Sequence, residues 1–169
     1  NTAPLTKEVQ SRTLEAIVRG ATDDEIREII NDAVQSIDCR DLDFDRIGIP
    51  SGLGKELGDY DWTNGTPKGA APRAAHFGNL FISEVNFGKD DTVKRVYLTN
   101  TKKEYQNRVY DLDVIGFERA SQLKPLMDEL TVDIPRMENT LIRNPMEDIL
   151  EAVDIDIDAA MEGQEQSGL

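Results

Sequence analysis

The sequence has few of the residues that most often carry enzyme chemistry. Of its 169 residues only one is cysteine, Cys39, and only one is histidine, His76. A single cysteine excludes an internal disulfide and a thiolate metal cluster, and it favours a reducing, cytoplasmic compartment. A single histidine excludes a histidine-rich zinc site, so His76 is predicted to pack or to form hydrogen bonds.

Long apolar stretches are also missing. No run approaches the roughly 18 apolar residues that a membrane-spanning helix needs, and no basic segment precedes an apolar one at the amino terminus. The sequence therefore predicts neither a membrane span nor a signal peptide. Because the chain begins without methionine, we expect it to be a piece of a longer protein.

The net charge of −14 is spread unevenly along the chain. Residues 1–45 carry 11 acidic and 5 basic residues, residues 46–110 carry 7 and 10, and residues 111–169 carry 15 and 4. A basic stretch between acidic flanks is typical of a surface that faces phosphate. The alternative is a charge fluctuation on a solvated surface.

The spacing of apolar residues predicts an α+β fold that is mostly helical. Helices are predicted at 6–19 and 23–37 as an antiparallel hairpin, the second opened by a capping box at Thr22. Glycine and proline divide 46–69 into a structured loop, and a helix is predicted at 71–84. Short strands are predicted at 93–98 and 114–117. Further helices are predicted at 121–126, at 133–143 and from Asn144, with Asn144 as the cap and Pro145 in the first helical position.

Two motifs resemble known ion-binding loops but depart from them. The segment 51–56 (SGLGKE) has Glu56 where a nucleotide-hydrolysing loop needs a hydroxyl, so it is predicted either to cradle a single phosphate or to use its glycines for conformation alone. Asp154, Asp156 and Asp158 have the spacing of a calcium loop, with Glu165 at its last position. The glycine such a loop requires is replaced by Ala159, which favours a solvated acidic helix start. No metal site is predicted.

Several segments in unbroken order resemble the carboxy-terminal thumb of family B DNA polymerases, in particular archaeal ones with a phage-like thumb. They are residues 5–10 (LTKEVQ), 14–20 (LEAIVRG), 47–53 (IGIPSGL), 72–75 (PRAA), 93–98 (VKRVYL), 113–118 (DVIGFE), 133–150 with NPM at 144–146, and 163–169 (GQEQSGL). The resemblance covers nearly the whole chain.

This resemblance implies that the chain grips primer–template duplex without reading its sequence. The palm aspartates that hold two metal ions in the parent polymerase are absent, so the fragment is expected to be non-catalytic, with Mg²⁺ acting in the parent enzyme, a nucleotidyltransferase. Expected partners are double-stranded DNA, the palm, fingers and exonuclease regions, and a sliding clamp as a further candidate. The residues expected at the DNA are Ser51, Gly52, Lys55, Lys68, Arg73, Lys94 and Arg95.

On this interpretation residues 1–169 are a single thumb domain. Its segments are the helical hairpin (1–45), a glycine-rich loop with a helix and a small sheet (46–118), and carboxy-terminal helices (119–169). The acidity, with arginine more abundant than lysine, indicates adaptation to a salt-rich cytoplasm, as in halophilic archaea. There are two rival interpretations. One is an acidic protein-interaction module that docks a replication partner through the helix at 23–37, and the other is a small enzyme that uses carboxylates.

Overall fold

The computed structural model describes residues 2–163, which divide into two compact units. The mixed unit runs from Asp43 to Asp133. The helical unit combines Thr2–Leu42 with the chain from Ile134 onward. Most of the segment predicted at 119–169 thus joins the predicted hairpin in one unit. The resembling tail at 164–169 lies outside the described residues.

Helices form most of the helical unit, and none that the structure describes within residues 2–163 is long and apolar enough to cross a bilayer. They are α1 (Pro4–Val18), α2 (Asp23–Ile37), α6 (Ile134–Glu138), a π-helical turn (Asn139–Arg143), α7 (Asn144–Glu151) and α8 (Ile157–Met161). The mixed unit contains the helices α3 (Phe44–Ile47), α4 (Ala70–Phe81) and α5 (Ala120–Leu123).

The predicted hairpin of α1 and α2 is present. Thr22 caps α2 by accepting a hydrogen bond from the Glu25 N–H at 3.2 Å, and this helix has the predicted limits. Helix α1 begins two residues earlier than predicted, because Pro4 occupies the first helical position, where a missing N–H costs nothing. Ion pairs join Arg12 to Asp32 and Arg19 to Glu25, so the two helices run antiparallel.

The prediction that Asn144 caps a new helix is wrong. Asn144 has helical dihedral angles (φ −63°, ψ −45°), and its N–H donates to the Asn139 carbonyl five residues earlier, so helical backbone continues through the π turn. Pro145 has no N–H for the carbonyl of Leu141. That carbonyl instead accepts a 2.6 Å hydrogen bond from the buried Thr6 hydroxyl, and this bond allows proline to stand inside the helix.

The mixed unit is built on a three-stranded antiparallel sheet with the order β1-β4-β5. Its strands are β1 (Ile49–Gly52), β4 (Thr92–Tyr105) and β5 (Arg108–Phe117), and β2 (Trp62–Thr63) with β3 (Thr66–Pro67) forms a separate small hairpin. The predicted strands at 93–98 and 114–117 are therefore parts of a longer hairpin, at the end away from its turn. Its two-residue turn, Gln106-Asn107, has φ of 51° and 65°, as a type I′ turn requires.

Helix α4 lies directly on β5 at a point where two glycines meet. A Cβ atom at Gly78 would collide with the carbonyl of Gly116, and one at Gly116 would collide with the carbonyl of Ala74. Phe77 of α4 is also buried, and the centre of its ring lies 6.1 Å from that of Tyr110 on β5. The predicted α+β fold class is confirmed, and the close approach of α4 fixes the sheet that carries the candidate site.

Candidate nucleic-acid interface

All seven residues predicted at the DNA lie in the mixed unit, but they do not form one continuous cationic face. Lys94 and Arg95 are neighbours on β4, and successive side chains of a strand point to opposite faces of its sheet. Lys94 shares its face with Phe117, its cross-strand partner, and donates to Asp45 Oδ1 at 3.2 Å. Arg95 points to the other face.

Two of the five predicted cations already have carboxylate partners. Arg73 on α4 forms a bidentate pair with Asp113 on β5, Nε to Oδ1 at 2.8 Å and Nη2 to Oδ2 at 2.7 Å. This pair ties the helix to the sheet. Lys94 ties β4 to α3 in the same way through Asp45. Both cations therefore have a structural role in the free protein.

The Asp45 carboxylate on α3 connects two other elements of the mixed unit, because it contacts Lys94 on β4 and Ala120 at the start of α5. Burial opposes its ionisation, but the hydrogen bond from the Ala120 N–H at 2.9 Å and the pairing with Lys94 outweigh burial and lower the pKa of Asp45. The carboxylate therefore stays charged and holds Lys94 at neutral pH. Lys94 is consequently less available to a phosphate than its sequence context indicates.

Arg95 differs from these two cations because its partners are neutral. Its Nη1 donates to Ser51 Oγ, its Nε donates to the Tyr97 hydroxyl at 3.2 Å, and its guanidinium lies over the Tyr97 ring at 5.7 Å. Arg95 is partly buried and forms no ion pair among residues 2–163. The sheet register explains the contact with Ser51, because Ser51 lies opposite Val93 and is a diagonal neighbour of Arg95 on one face.

The chain leaves the sheet edge at Gly52 and enters a loop that is pinned at Leu53. The Leu53 N–H donates to the Asp91 carbonyl at 2.9 Å, and its own carbonyl accepts from the Asp90 N–H at 2.8 Å. Just beyond, the Gly54 N–H donates to the Tyr60 hydroxyl at 3.1 Å. The backbone of this exposed segment is therefore held in place by hydrogen bonds.

Gly52 and Gly54 are not needed for the conformation of this segment. Neither has a left-handed φ, and a Cβ atom at either position would meet nothing within 4 Å. Lys55 follows, exposed, with Nζ 5.0 Å from the centre of the Tyr60 ring. We call Ser51, Gly52, Gly54, Lys55 and Arg95 the glycine edge.

Lys68 lies away from the glycine edge in sequence, directly after β3. Its N–H donates to the Asp61 carbonyl at 2.8 Å, and the side chain is exposed and forms no ion pair within the described residues. Tyr60 and Tyr97, which contact Lys55 and Arg95, were not among the residues predicted at the DNA. Their only signal was an aromatic residue near each predicted cation.

The segment with calcium-loop spacing, which begins at Asp154, includes the capped start of helix α8. Asp156 caps α8 by accepting from the Ala159 N–H at 3.3 Å, and Asp158 pairs with Arg143 at 2.8 Å. The hydrogen bond from Arg143 lowers the pKa of Asp158. Glu165 lies outside the described residues. Across residues 2–163 no group of three or more histidine, cysteine, aspartate or glutamate side chains could hold a metal ion.

His76 packs against aromatic rings, as its lone occurrence predicted. Its ring lies 4.9 Å from Trp62 and 5.7 Å from Phe77, and its buried Nε2 has no hydrogen-bond partner within the described chain. Burial, with a smaller contribution from the charge of Arg108, lowers the pKa of His76. The imidazole is therefore neutral at physiological pH.

Charge is divided between the two units. Residues 43–133 carry 15 acidic and 12 basic residues, whereas the rest of the chain carries 18 and 7. Twelve of the 19 basic residues thus lie in the unit that contains the glycine edge. The excess of negative charge belongs mainly to the helical unit.

The helix proposed as a docking element in the rival interpretation exposes its acidic face, with Asp24 and Glu28, but not its apolar face. Ile26, Ile30, Ala33 and Ile37 of α2 are all buried.

No protein-family model matches the chain, and no curated protein sequence does so either.

Proposed function

We propose that this chain is the thumb of a family B DNA polymerase and that its glycine edge holds the sugar–phosphate backbone of primer–template duplex. Two lines of argument support the proposal: the ordered resemblance along the sequence and the chemistry of the glycine edge. On this proposal the chain binds and orients DNA, while Mg²⁺-dependent nucleotidyl transfer belongs to the palm of the parent enzyme. The source would be a halophilic archaeal replication polymerase.

The observation that carries the proposal is that two exposed glycines, Gly52 and Gly54, are not required by the conformation of the backbone. Glycine is costly in a fixed backbone because it loses the most freedom on folding. It is useful where another backbone must come close. At Gly52 and Gly54 the open space lies on the solvent side, so the group that would approach is external to the described chain.

Arg95 supplies the charge that such a group would need. A partly buried cation with only hydroxyl partners has lost water without gaining a counter-charge. A guanidinium has five N–H donors, and the hydrogen bonds to Ser51 and Tyr97 use two of them. Phosphate oxygens accept guanidinium hydrogen bonds in strong, charge-assisted geometry.

These groups contact backbone rather than bases, which suits a polymerase. Serine hydroxyls, arginine and lysine side chains and backbone N–H groups are the usual donors to phosphate, and phosphate contacts position a protein without reading sequence. Lys55, stacked on Tyr60, extends the same edge by one more cation. The glycine edge therefore fits a nucleic-acid strand of any sequence.

Fluorescence anisotropy with a labelled, blunt duplex of mixed sequence tests the proposal. Arg95→Met is expected to weaken binding by about 10- to 150-fold, the equivalent of one lost charged hydrogen bond. Gly54→Val is expected to weaken binding because it covers the edge, while its thermal unfolding stays close to that of the parent chain, since the added atoms meet open space.

Lys7→Gln is the matched control, because it removes one exposed positive charge from α1 in the helical unit. It should bind duplex as the parent chain does. The proposal fails if the parent chain does not bind duplex, or if Arg95→Met and Gly54→Val bind as tightly as the control.

A further inference from the structure

Trp62, the only tryptophan of the chain, is a large apolar side chain left in solvent. It is 42% exposed at the start of the β2–β3 hairpin. Its position is fixed, because Nε1 donates to the Leu57 carbonyl at 2.9 Å and its ring packs edge to face against His76, with an interplanar angle of 73°. The indole is thus a fixed aromatic surface in contact with water.

The hairpin that carries Trp62 is braced by an arginine from β5. Arg108 Nη2 donates to the Asn64 carbonyl at 2.8 Å, and its guanidinium lies against Gly65 and 4.8 Å from the centre of the Tyr110 ring. Arg108 forms no ion pair among the described residues. Its charge also reaches His76, the ring against which Trp62 packs.

A second unpaired cation lies across the same hairpin. Lys68 follows β3 and is hydrogen-bonded through its N–H to Asp61, the residue before Trp62. The Lys68 side chain is exposed and, like Arg108, forms no ion pair within residues 2–163, so the hairpin has two cations without a carboxylate partner there. An exposed indole beside such cations offers stacking and phosphate attraction together.

We propose that Trp62 is a stacking platform for an unpaired base in the single strand that continues beyond the end of the bound duplex. This inference rests on the proposed function, which supplies the nucleic-acid partner. Single-strand sites combine basic residues with exposed aromatic rings, on which bases stack whatever their sequence. Paired bases inside a duplex hide their faces, so the ligand is the unpaired extension.

The position of Trp62 in the chain joins this platform to the glycine edge. Trp62 lies ten positions after Gly52 in the chain. The segment between them folds back on itself through the hydrogen bonds from Gly54 to Tyr60 and from Trp62 to Leu57. One ordered segment therefore presents both a backbone-binding edge and a base-binding ring. A duplex with a single-stranded extension could engage both.

Intrinsic fluorescence tests the platform directly, because every emitted tryptophan photon comes from Trp62. The full chain is titrated with short oligothymidylate, with a blunt duplex and with the same duplex carrying an extension. Quenching is expected with oligothymidylate and with the extended duplex, and not with the blunt duplex. Quenching by the blunt duplex equal to that by the extended one, or no quenching by any of the three, would overturn the inference.

Three substitutions then separate stacking from apolar contact. Measured by anisotropy of labelled DNA, Trp62→Ala and Trp62→Leu are each expected to bind the extended duplex about 5- to 150-fold more weakly than the parent chain, and Trp62→Phe to retain most of its affinity. Equal binding by the leucine and phenylalanine variants would contradict stacking.

The blunt duplex keeps this test independent of the test of the glycine edge. The Trp62 variants are expected to bind it as the parent chain does. If the parent chain binds the blunt duplex but the extension adds nothing, the platform is refuted and the proposed thumb function stands. If the parent chain binds neither DNA, the proposed function itself has failed.

Discussion

If the chain binds duplex as proposed, the salt dependence of its affinity measures how many of its cations contact phosphate. Each phosphate contact contributes about −0.9 to the slope of log affinity against log salt concentration, because it releases a condensed counterion. Of the five candidate cations, Arg73 and Lys94 are held by carboxylates at 2.7 and 3.2 Å. The remaining three are Lys55, Lys68 and Arg95.

Three contacts predict a slope of about −2.7, whereas five would give about −4.5. A tenfold rise in KCl concentration, from about 0.1 M to about 1 M, should therefore weaken binding about 500-fold rather than about 30,000-fold. The measurement is a series of anisotropy titrations with blunt duplex across this range. Such a shallow dependence would agree with the halophilic source that we propose.

Substitutions identify which cations contribute to the slope. Lys55→Gln and Arg95→Gln are each expected to flatten it by about 0.9, and Lys94→Gln to leave it unchanged. Circular dichroism of each variant checks that the fold is retained. A slope of about −4.5 or steeper in the parent chain would refute the reasoning. Flattening by Lys94→Gln equal to that by Lys55→Gln would refute it too.

Three further predictions concern stability, measured by chemical denaturation. Thr6→Val should lower the free energy of unfolding by about 1–3 kcal/mol, because it leaves the buried Leu141 carbonyl without this donor. Thr13→Val removes a buried hydroxyl that has no partner within the described residues, so it should leave the free energy of unfolding unchanged or raise it. Burial and the charge of Arg108 lower the pKa of His76 below 6.5 in the folded chain, so the unfolded chain binds a proton at His76 more readily. The free energy of unfolding should therefore fall as pH drops from about 6.5 through the folded pKa, and His76→Gln should remove this part of the pH dependence. Burial and the charge of Asp38 raise the pKa of Glu138, so the folded chain is destabilised by the charged carboxylate and gains stability as Glu138 is protonated at lower pH. Glu138→Gln should therefore stabilise the chain at neutral pH but not in acid.

Parts of the fold with a local signal were predictable from the sequence. Helix α2 is specified by Thr22 at one end and by apolar residues at helical spacing, so its limits needed no knowledge of distant residues. Strand β1 was missed because Pro50, Ser51 and Gly52 are typical of a turn. It becomes a strand only by pairing with β4, whose partner residues lie 40 to 46 positions later in the chain.

The candidate site was predictable only in part for the same reason. The exposed glycines and Lys55 could be selected because they are neighbours in sequence. The carboxylates that hold two other cations could not, since Asp45 lies 49 residues from Lys94 and Asp113 lies 40 residues from Arg73. Sequence alone therefore overestimated how many cations are available to phosphate.

The division of charge removes the apparent conflict between an acidic chain and an anionic ligand. The helical unit carries 18 acidic residues against 7 basic ones, but at about 1 M salt the screening length is about 3 Å, so those charges would not repel a strand bound by the mixed unit as proposed. On the proposed function, a neutral donor at that range, such as the Ser51 hydroxyl beside Arg95, would still form a hydrogen bond to phosphate. Hydrogen bonds from neutral donors release no counterion and therefore persist as salt rises. If the glycine edge binds DNA as proposed, an edge of glycine and serine with only Lys55 and the partly buried Arg95 as cations would lose less affinity at high salt than a dense lysine cluster, because more of its contacts would release no counterion.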